Sequence, residues 1–175
     1  ISLIQSNFYG IGSRIGVGSY GFFLHNRGCG FNLIESHPNC LGPNKKPLHT
    51  LSPTIWSKDG SLDFITGTRG GRYQPQLLAQ HILPYILGES SFEEIVEKPR
   101  WTLEFFESNT PSNIKFEFID ESEMNSLKEK GHSISVEKKR IGGYGPISTI
   151  YKNSDKNFIG VPDIRVGTEK AFNNS

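Results

Sequence analysis

The chain has 175 residues, 35% of them hydrophobic, which is long enough to bury a substantial core. Its 19 lysines and arginines against 18 aspartates and glutamates give a net charge of +1, which argues against a nucleic-acid or membrane-surface partner. The densest basic run, Lys138-Lys139-Arg140, is short and indicates a solvated strand end. No apolar stretch approaches the ~20 residues of a membrane span.

The first fifty residues predict two short strands and much loop. The strands are residues 1–6 and 21–26, separated by glycine-rich turns. Because the chain opens on Ile1-Ser2-Leu3-Ile4 without a Met or a basic region, we interpret its start as a position within a strand of an excised, processed or larger protein. Residues 27–48 are rich in glycine and proline, which predicts a long loop of the kind that often carries function.

A hairpin is predicted next, with strands over residues 51–57 and 62–66 and a turn at Lys58-Asp59-Gly60. A helix follows from about Gln74 to Leu87, with Gly88 as its C-terminal cap. The residues at helical spacing on its apolar face are Leu77, Leu78, His81, Ile82, Tyr85 and Ile86.

The rest of the chain predicts a second short helix, which opens at Ser90 or Ser91 and is stopped by Pro99. Further strands and one polar helix follow. The strands are 101–106, 114–119, 132–137, 146–152 and 157–161, and the polar helix is 121–130. This order predicts an α+β fold with mostly antiparallel strands and with the first two helices on one face of a sheet.

The pair Gly70-Gly71 joins the end of a predicted strand to the start of a helix, with Pro75 near the first helical position. Two glycines can expose adjacent main-chain N–H groups, and a helix N-terminus favours negative charge. Such a turn could hold the oxyanion of an acyl-transfer intermediate. The alternatives are a strand-to-helix turn without chemistry, or a phosphate-binding loop. The missing Lys-Ser/Thr after the glycines argues against a nucleotide P-loop.

Other residue types give weaker signals. Cys29 and Cys40 are the only cysteines, which fits free thiols better than a disulfide framework or a CxxC site. The five histidines lack HxxxH or HxH spacing, so no metal site and no cofactor are predicted. His49 and Thr50 could suggest a base beside a nucleophile. Neighbouring strand residues point to opposite faces, so polar contact to a substrate is the preferred interpretation.

Seven blocks of the sequence resemble the C-terminal subunit of the γ-glutamyltranspeptidase family, and they follow the family's order from residue 1 to about residue 165. The blocks are residues 2–7, 44–48, 52–55, 67–71, 79–80, 98–100 and 160–165. The resemblance implies part of a four-layer αββα sandwich of an N-terminal nucleophile hydrolase. It also implies a small-subunit-like domain over residues 1–167, without its nucleophile strand, and a polar tail over 168–175.

The resemblance further implies chemistry. Family members cleave themselves, and the new N-terminal Thr attacks a γ-glutamyl or related amide, with its own α-amine as the base. Gly70 and Gly71 match the glycines that supply the oxyanion-hole amides. Gln5 and Asn7 belong to the strand that would follow the nucleophile strand, and either could support the Thr through hydrogen bonds. The nucleophile falls upstream of Ile1, so this chain alone is predicted to be inactive and to need the large-subunit half of the same precursor as its partner.

Two departures from the family pattern concern the acyl group. Typical transpeptidases have Asn-Glu-x-x-Asp where this chain has Asn26-Arg27-Gly28-Cys29-Gly30, and the two acids hold the substrate ammonium. Arg27 suits a carboxylate instead, so a small anionic amide or peptide is the expected substrate. Together with His37-Pro38-Asn39, this run resembles the acylase and amidohydrolase branch. The alternative for Arg27 is a structural bridge to a loop acid.

Three further residues are candidates for substrate contact. His49 and Thr50 match a Ser-Ser pair that contacts the substrate carboxylate in typical transpeptidases, and Thr50 keeps a hydroxyl. Arg69 could reach an anionic group, or it could be a surface arginine. The sequence therefore leaves two hypotheses: part of a γ-glutamyltranspeptidase-like amide hydrolase or acyltransferase, or a catalytically inactive homologue that acts as a scaffold or binds an anionic ligand.

Overall fold

The computed structural model describes residues 1–104 and 113–167. The chain forms two compact units, one of residues 3–51 and one of residue 52 onward together with Ile1 and Ser2. The predicted tail, 168–175, and the end of the predicted strand 101–106 lie outside the described residues. The single domain expected over residues 1–167 stays a prediction.

The larger unit holds the regular secondary structure of the described residues, seven strands and three α-helices. In chain order these are β1 (Thr54–Lys58), β2 (Ser61–Thr68), α1 (Gln74–Ile86), α2 (Phe92–Glu97), β3 (Trp101–Glu104), β4 (Asn113–Phe116), α3 (Glu121–Glu129), β5 (Ser133–Val136), β6 (Ile147–Lys152) and β7 (Phe158–Val161).

The predicted hairpin is confirmed. β1 and β2 pair antiparallel, and Asp59 and Gly60 between them both have positive φ, at 51° and 75°. Two left-handed residues in a row match the right-handed twist of the flanking strands. The hairpin belongs to a four-stranded antiparallel sheet in the order β1-β2-β6-β7.

Helices α1 and α2 pack on one face of this sheet, as predicted. Their shared core with β2 and β7 consists of Phe64, Leu78, Ile82, Phe92, Ile95, Val96 and Val161. Ile86 was expected on the buried face of α1, but it is exposed because only Tyr85 of the last turn packs on the core.

Both helix ends follow their sequence signals. The N–H of Gly88 donates to Tyr85 and that of Glu89 to Pro84, which closes α1 in a Schellman motif with Gly88 at φ 72°. At the start of α2, Ser91 and Glu94 form a reciprocal capping box.

A smaller sheet has the order β3-β4-β5, antiparallel between β3 and β4 and parallel between β4 and β5. Two glutamines of α1 bond the main chain of β3. Gln76 bonds the N–H and C=O of Leu103, and Gln80 those of Trp101. Four residues of helix rise about 6 Å, close to two residues of strand, so the amides of α1 match the strand repeat.

The unit of residues 3–51 is irregular, and the strands predicted over 1–6 and 21–26 are wrong. An isolated bridge between Gly16 and Phe23 replaces the second, while residues 1–6 form no strand in the described structure. Left-handed glycines interrupt the extended chain, among them Gly12 at φ 72° and Gly21 at φ 72°. A Cβ on Gly12 would stand 2.6 Å from the Leu24 carbonyl oxygen, so the backbone packs closely there. The loop predicted over 27–48 is confirmed.

Candidate active site

The Gly70-Gly71 turn lies between the end of β2 and the start of α1. Gly70 has φ 129° and ψ 8°, and Gly71 has φ 56°, conformations that glycine adopts at low cost. A Cβ on Gly70 would meet Leu77 Cδ1 at 3.0 Å, whereas one on Gly71 would meet nothing within 4 Å. Gly70 is therefore fixed by both its backbone conformation and its packing.

Both carbonyl groups of the Gly70-Gly71 turn accept hydrogen bonds. The N–H of Tyr73 donates to the Gly70 carbonyl at 3.1 Å, and the N–H of Gln74 donates to that of Gly71. Among the described residues, no acceptor bonds the N–H of Gly70 or Gly71. Two adjacent donors without a partner before a 13-residue helix are suited to an anion.

Residues 141–147, a glycine-rich segment that ends at the first residue of β6, pack against this turn. Arg69 Nε donates to the Gly145 carbonyl at 3.4 Å, and Thr68 Oγ1 donates to the Pro146 carbonyl at 3.0 Å. The Gly143 carbonyl oxygen lies 3.6 Å from the position of a Cβ on Gly70. Arg69, for which the sequence left open an anionic group or a surface position, thus donates to a main-chain carbonyl here.

A buried cluster of four charges packs against this segment, and no residue pattern in the sequence predicted it. Arg100 Nη2 lies 2.5 Å from Asp163 Oδ2, and Arg165 Nη2 lies 2.5 Å from Glu117 Oε2. Arg165 Nη1 also lies 3.4 Å from Asp163 Oδ1. Arg100 and Arg165 stand in blocks that carried the family resemblance, which is the one signal that pointed to them.

Both acids of the cluster stay ionised. Burial alone raises the pKa of Glu117, but hydrogen bonds from Arg165 and from the N–H groups of Ile141 and Arg100 outweigh it, and its pKa is lowered. The pKa of Asp163 is lowered against burial by the charge of Arg100 and by main-chain N–H donors. The cluster therefore holds two positive and two negative charges.

His81, predicted only as an apolar-face residue, is fully buried and hydrogen bonded. Its Nε2 lies 2.7 Å from Thr149 Oγ1, which lies 2.9 Å from Thr66 Oγ1. Thr66 donates to the Ser148 carbonyl, so Thr149 donates to Thr66 and His81 donates from Nε2. Burial, followed by the charge of Arg100, lowers the pKa of His81 to about 3.

Arg27 belongs to the unit of residues 3–51 and is 8% exposed. Its guanidinium carbon lies 4.9 Å from the centre of the Phe8 ring. Nη1 and Nη2 are buried and have no hydrogen-bond partner in the described structure, so the alternative of a bridge to a loop acid finds no support there. Phe8 itself is left-handed, with φ 65°, a strained conformation for an aromatic residue.

The same unit brings the Arg27–Gly30 turn against the segment before His49. A Cβ on Gly30 would stand 2.7 Å from the Leu48 carbonyl oxygen. His49 is exposed and accepts the N–H of Leu51 on its Nδ1 at 3.2 Å, whereas Thr50 is half-buried.

The two supporting candidates lie in this unit as well. The carbonyl of Asn7 accepts the N–H of Asn26, beside Arg27, at 3.1 Å. Gln5 is exposed.

Three other features of the described residues bear on function class. They contain no group of three or more His, Cys, Asp or Glu residues arranged for a metal ion. Cys29 and Cys40 are free thiols. None of the described helices has the length and apolar character needed to cross a bilayer.

The fold occurs in solved structures. A γ-glutamyltranspeptidase from Pseudomonas nitroreducens, mutant W525D, aligns with 100% of this chain and 93% of its own, with a TM-score of 0.82 and 20% identity. A cephalosporin acylase from Bacillus halodurans aligns with 93% of this chain and 30% of its own, with a TM-score of 0.79 and 28% identity. The chain therefore has the α+β fold of the N-terminal nucleophile hydrolases, as predicted.

Sequence relatives narrow this class. The glutathione hydrolase-like YwrD proenzyme of Bacillus subtilis is 32% identical over 84% of this chain and 27% of its own length. The oxamate amidohydrolase proenzyme of Klebsiella pneumoniae is 31% identical over 78% of this chain and 26% of its own length. The chain thus spans about a quarter of the length of these relatives. The family model for gamma-glutamyltranspeptidase matches residues 1–172, so the chain belongs to the γ-glutamyltranspeptidase family.

Proposed function

We propose that this chain is the oxyanion-binding and acyl-binding part of an amide hydrolase or acyltransferase of γ-glutamyltranspeptidase type. The observation that carries the proposal is the pair of N–H groups at Gly70 and Gly71, which have no partner in the described structure. Each oxyanion donor of this kind contributes about 3–4 kcal/mol to transition-state stabilisation.

The proposed reaction begins at an N-terminal Thr that lies upstream of Ile1. The Thr hydroxyl oxygen forms a bond to the amide carbon, and its proton passes to the α-amine of the same Thr. The carbonyl oxygen becomes an oxyanion that accepts the N–H groups of Gly70 and Gly71. The C–N bond then breaks, the amine leaves with the proton, and water or an acceptor amine releases the acyl group.

Arg27 is the proposed ligand of an acidic acyl group. A guanidinium buried without hydrogen bonds costs several kcal/mol, and a carboxylate would supply the missing acceptors in a bidentate pair. The strained backbone of Phe8, whose ring lies beside the guanidinium, supports a functional role, because such strain concentrates at binding sites. His49, Thr50 and Arg69 are proposed as further substrate contacts, and Gln5 and Asn7 as supports of the Thr.

The large-subunit half of the same precursor is the proposed partner. The face of the four-stranded sheet opposite α1 and α2 carries an apolar row across three strands, in which Ile55 pairs with Ile65 and Ile65 with Ile150. Ile55 is 63% and Ile150 44% exposed. A second sheet from the large subunit would bury this row, which is the four-layer arrangement that the family resemblance implies.

The proposal is tested on the full-length gene product. N-terminal sequencing is expected to show cleavage before a Thr upstream of Ile1, and the processed protein is expected to hydrolyse glutaryl anilides faster than γ-glutamyl anilides. Residues 1–175 alone are expected to show no turnover. An uncleaved full-length protein without amidase activity would support the alternative of an inactive scaffold or anion-binding module. Turnover by residues 1–175 alone would contradict the proposal that the nucleophilic Thr lies upstream of Ile1.

A further inference from the structure

We infer that the buried cluster of Arg100, Glu117, Asp163 and Arg165 positions the Gly70-Gly71 turn, and that it acts through residues 141–147. The inference rests on the proposed role of that turn as an oxyanion site. None of the four residues is proposed to touch substrate, so they are positioning residues.

The cluster forms hydrogen bonds with three main-chain groups of residues 141–147. Glu117 Oε1 accepts the N–H of Ile141 at 2.7 Å. Arg100 Nη1 donates to the Tyr144 carbonyl at 2.6 Å. Asp163 Oδ2 accepts the N–H of Ile147 at 2.9 Å. The start, middle and end of the segment are thus each held by a charged partner, and charge-assisted hydrogen bonds are the stronger kind.

The segment needs such external contacts because three of its residues are glycines. Gly142, Gly143 and Gly145 offer no side chains to pack, and glycine has the largest conformational freedom to lose. At Gly145, with φ 108°, a Cβ would stand 2.6 Å from Arg100 Nη1. The left-handed backbone and the main-chain nitrogen of Ile147, 3.0 Å from the same Cβ position, therefore favour glycine here.

The segment in turn contacts the turn and the residues beside it. Thr68 and Arg69 each donate to one of its carbonyls, those of Pro146 and Gly145. The Tyr144 ring packs edge-to-face on Tyr73, whose N–H donates to Gly70, with ring centres 6.3 Å apart. A shift of residues 141–147 would therefore be transmitted to the direction of the two glycine N–H groups.

Stability alone is a weak reason for such a cluster. Buried ion pairs contribute little net stability compared with apolar side chains of the same size, since desolvation offsets most of their attraction. What they do provide is directional bonding, and here it is directed at main-chain atoms. The donors of an oxyanion site must lie within a few tenths of an ångström of the positions from which they bond the oxyanion. A misplacement of about 1 Å can cost on the order of a hundredfold in rate.

The test compares two Arg-to-Lys variants of the full-length protein. Arg100→Lys keeps the charge beside Asp163 and loses the second donor at Tyr144. The matched control is Arg140→Lys, at an arginine that donates to the Glu97 carbonyl at 2.9 Å and pairs with the Glu97 carboxylate at 3.1 Å. We expect Arg100→Lys to lower kcat about tenfold or more with KM nearly unchanged, and Arg140→Lys to change neither.

Hydrogen exchange supplies a readout that does not depend on activity. In Arg100→Lys we expect faster exchange at the N–H groups of Ile141, Tyr144 and Ile147, and also at those of Tyr73 and Gln74, which bond the turn. Faster exchange confined to residues 141–147, with kcat unchanged, would overturn the inference. If the wild-type protein has no amidase activity, the proposed function fails, and exchange at Tyr73 and Gln74 alone decides the positioning role.

A second variant covers the case in which Arg100→Lys does not fold. Thr68→Val keeps the shape of the side chain and removes the hydroxyl, whose single proton the carbonyls of Arg69 and Pro146 share. The inference expects the same loss of kcat and the same faster exchange at Tyr73 and Gln74. Unchanged values of both in Thr68→Val would contradict the route through residues 141–147.

Discussion

Gly30 lies so close to Leu48 that a Cβ would stand 2.7 Å from the Leu48 carbonyl oxygen. By the family resemblance, position 30 matches the position at which typical transpeptidases have an acid for the substrate ammonium. In this chain the backbone leaves no room for such a side chain. The change at position 30 is therefore built into the packing of the loop, and it accompanies the buried Arg27 in the same short turn.

The first prediction follows from this contact. Gly30→Asp is expected to destabilise the protein by roughly 1–3 kcal/mol, because the side chain forces main-chain atoms apart. Gly28→Asp is the control in the same turn, where a Cβ would meet nothing within 4 Å. Thermal unfolding of both variants checks the expectation, and equal stability of the two would show that the loop adapts to an acid.

The second prediction concerns the acyl group. Arg27→Glu is expected to shift preference from glutaryl to γ-glutamyl substrates, since a carboxylate attracts an ammonium and repels an acid. Arg27→Met, which carries no charge, is expected to lower kcat/KM for glutaryl substrates about ten- to hundredfold. Exposed Arg14, changed to Glu, controls for net charge in the same unit. Unaltered selectivity in both Arg27 variants would remove this residue from the acyl site.

The third prediction separates chemistry from folding at the glycine turn. Gly70→Ala is expected to reduce kcat by roughly a hundredfold or more, because alanine cannot hold φ 129° and the N–H groups turn away. Gly88→Ala introduces a left-handed alanine at the end of α1, at φ 72° with open space around it. It is expected to cost about 1 kcal/mol of stability and to leave kcat unchanged. Equal effects of the two variants on kcat would indicate a purely structural turn.

The fourth prediction is an acid-dependent loss of stability at His81. The folded protein keeps this imidazole neutral, with its pKa lowered from 6.5 to about 3. The unfolded chain takes up a proton below pH 6.5, so it binds more protons than the folded state does. The free energy of unfolding therefore falls as pH falls from 6.5 towards 3, by up to about 1.4 kcal/mol per pH unit from this residue.

His81→Gln removes this contribution and is expected to flatten the acid side of the stability curve. The lowered pKa values of Glu117 and Asp163 act in the same direction and stay in both proteins, so the difference between curves isolates the histidine. Exposed His132, changed to Gln, is the control. Denaturant unfolding from about pH 7 to about pH 4.5 measures the effect, and parallel curves for wild type and His81→Gln would contradict it.

The elements with local signals were predicted well. Asp59-Gly60 indicated the hairpin, Gly88 the end of α1, and Ser90 or Ser91 the start of α2, because each signal depends on residues a few positions apart. The strands expected over residues 1–6 and 21–26 were wrong. A strand requires a partner as well as an apolar pattern, and the only β-pairing of these two segments in the described structure is the isolated bridge between Gly16 and Phe23.

The sequence by itself determined the family, the α+β class and the glycine turn, since ordered motifs and turn residues are local properties. Only the tertiary structure decided that Arg27 is buried with no acid partner among the described residues, and that the backbone around Gly30 leaves no room for an acidic side chain. It alone joined Arg100 to Asp163 and Glu117 to Arg165, over separations of 63 and 48 residues along the chain. Desolvation and hydrogen-bond geometry depend on which residues the fold brings together, and no local pattern encodes them.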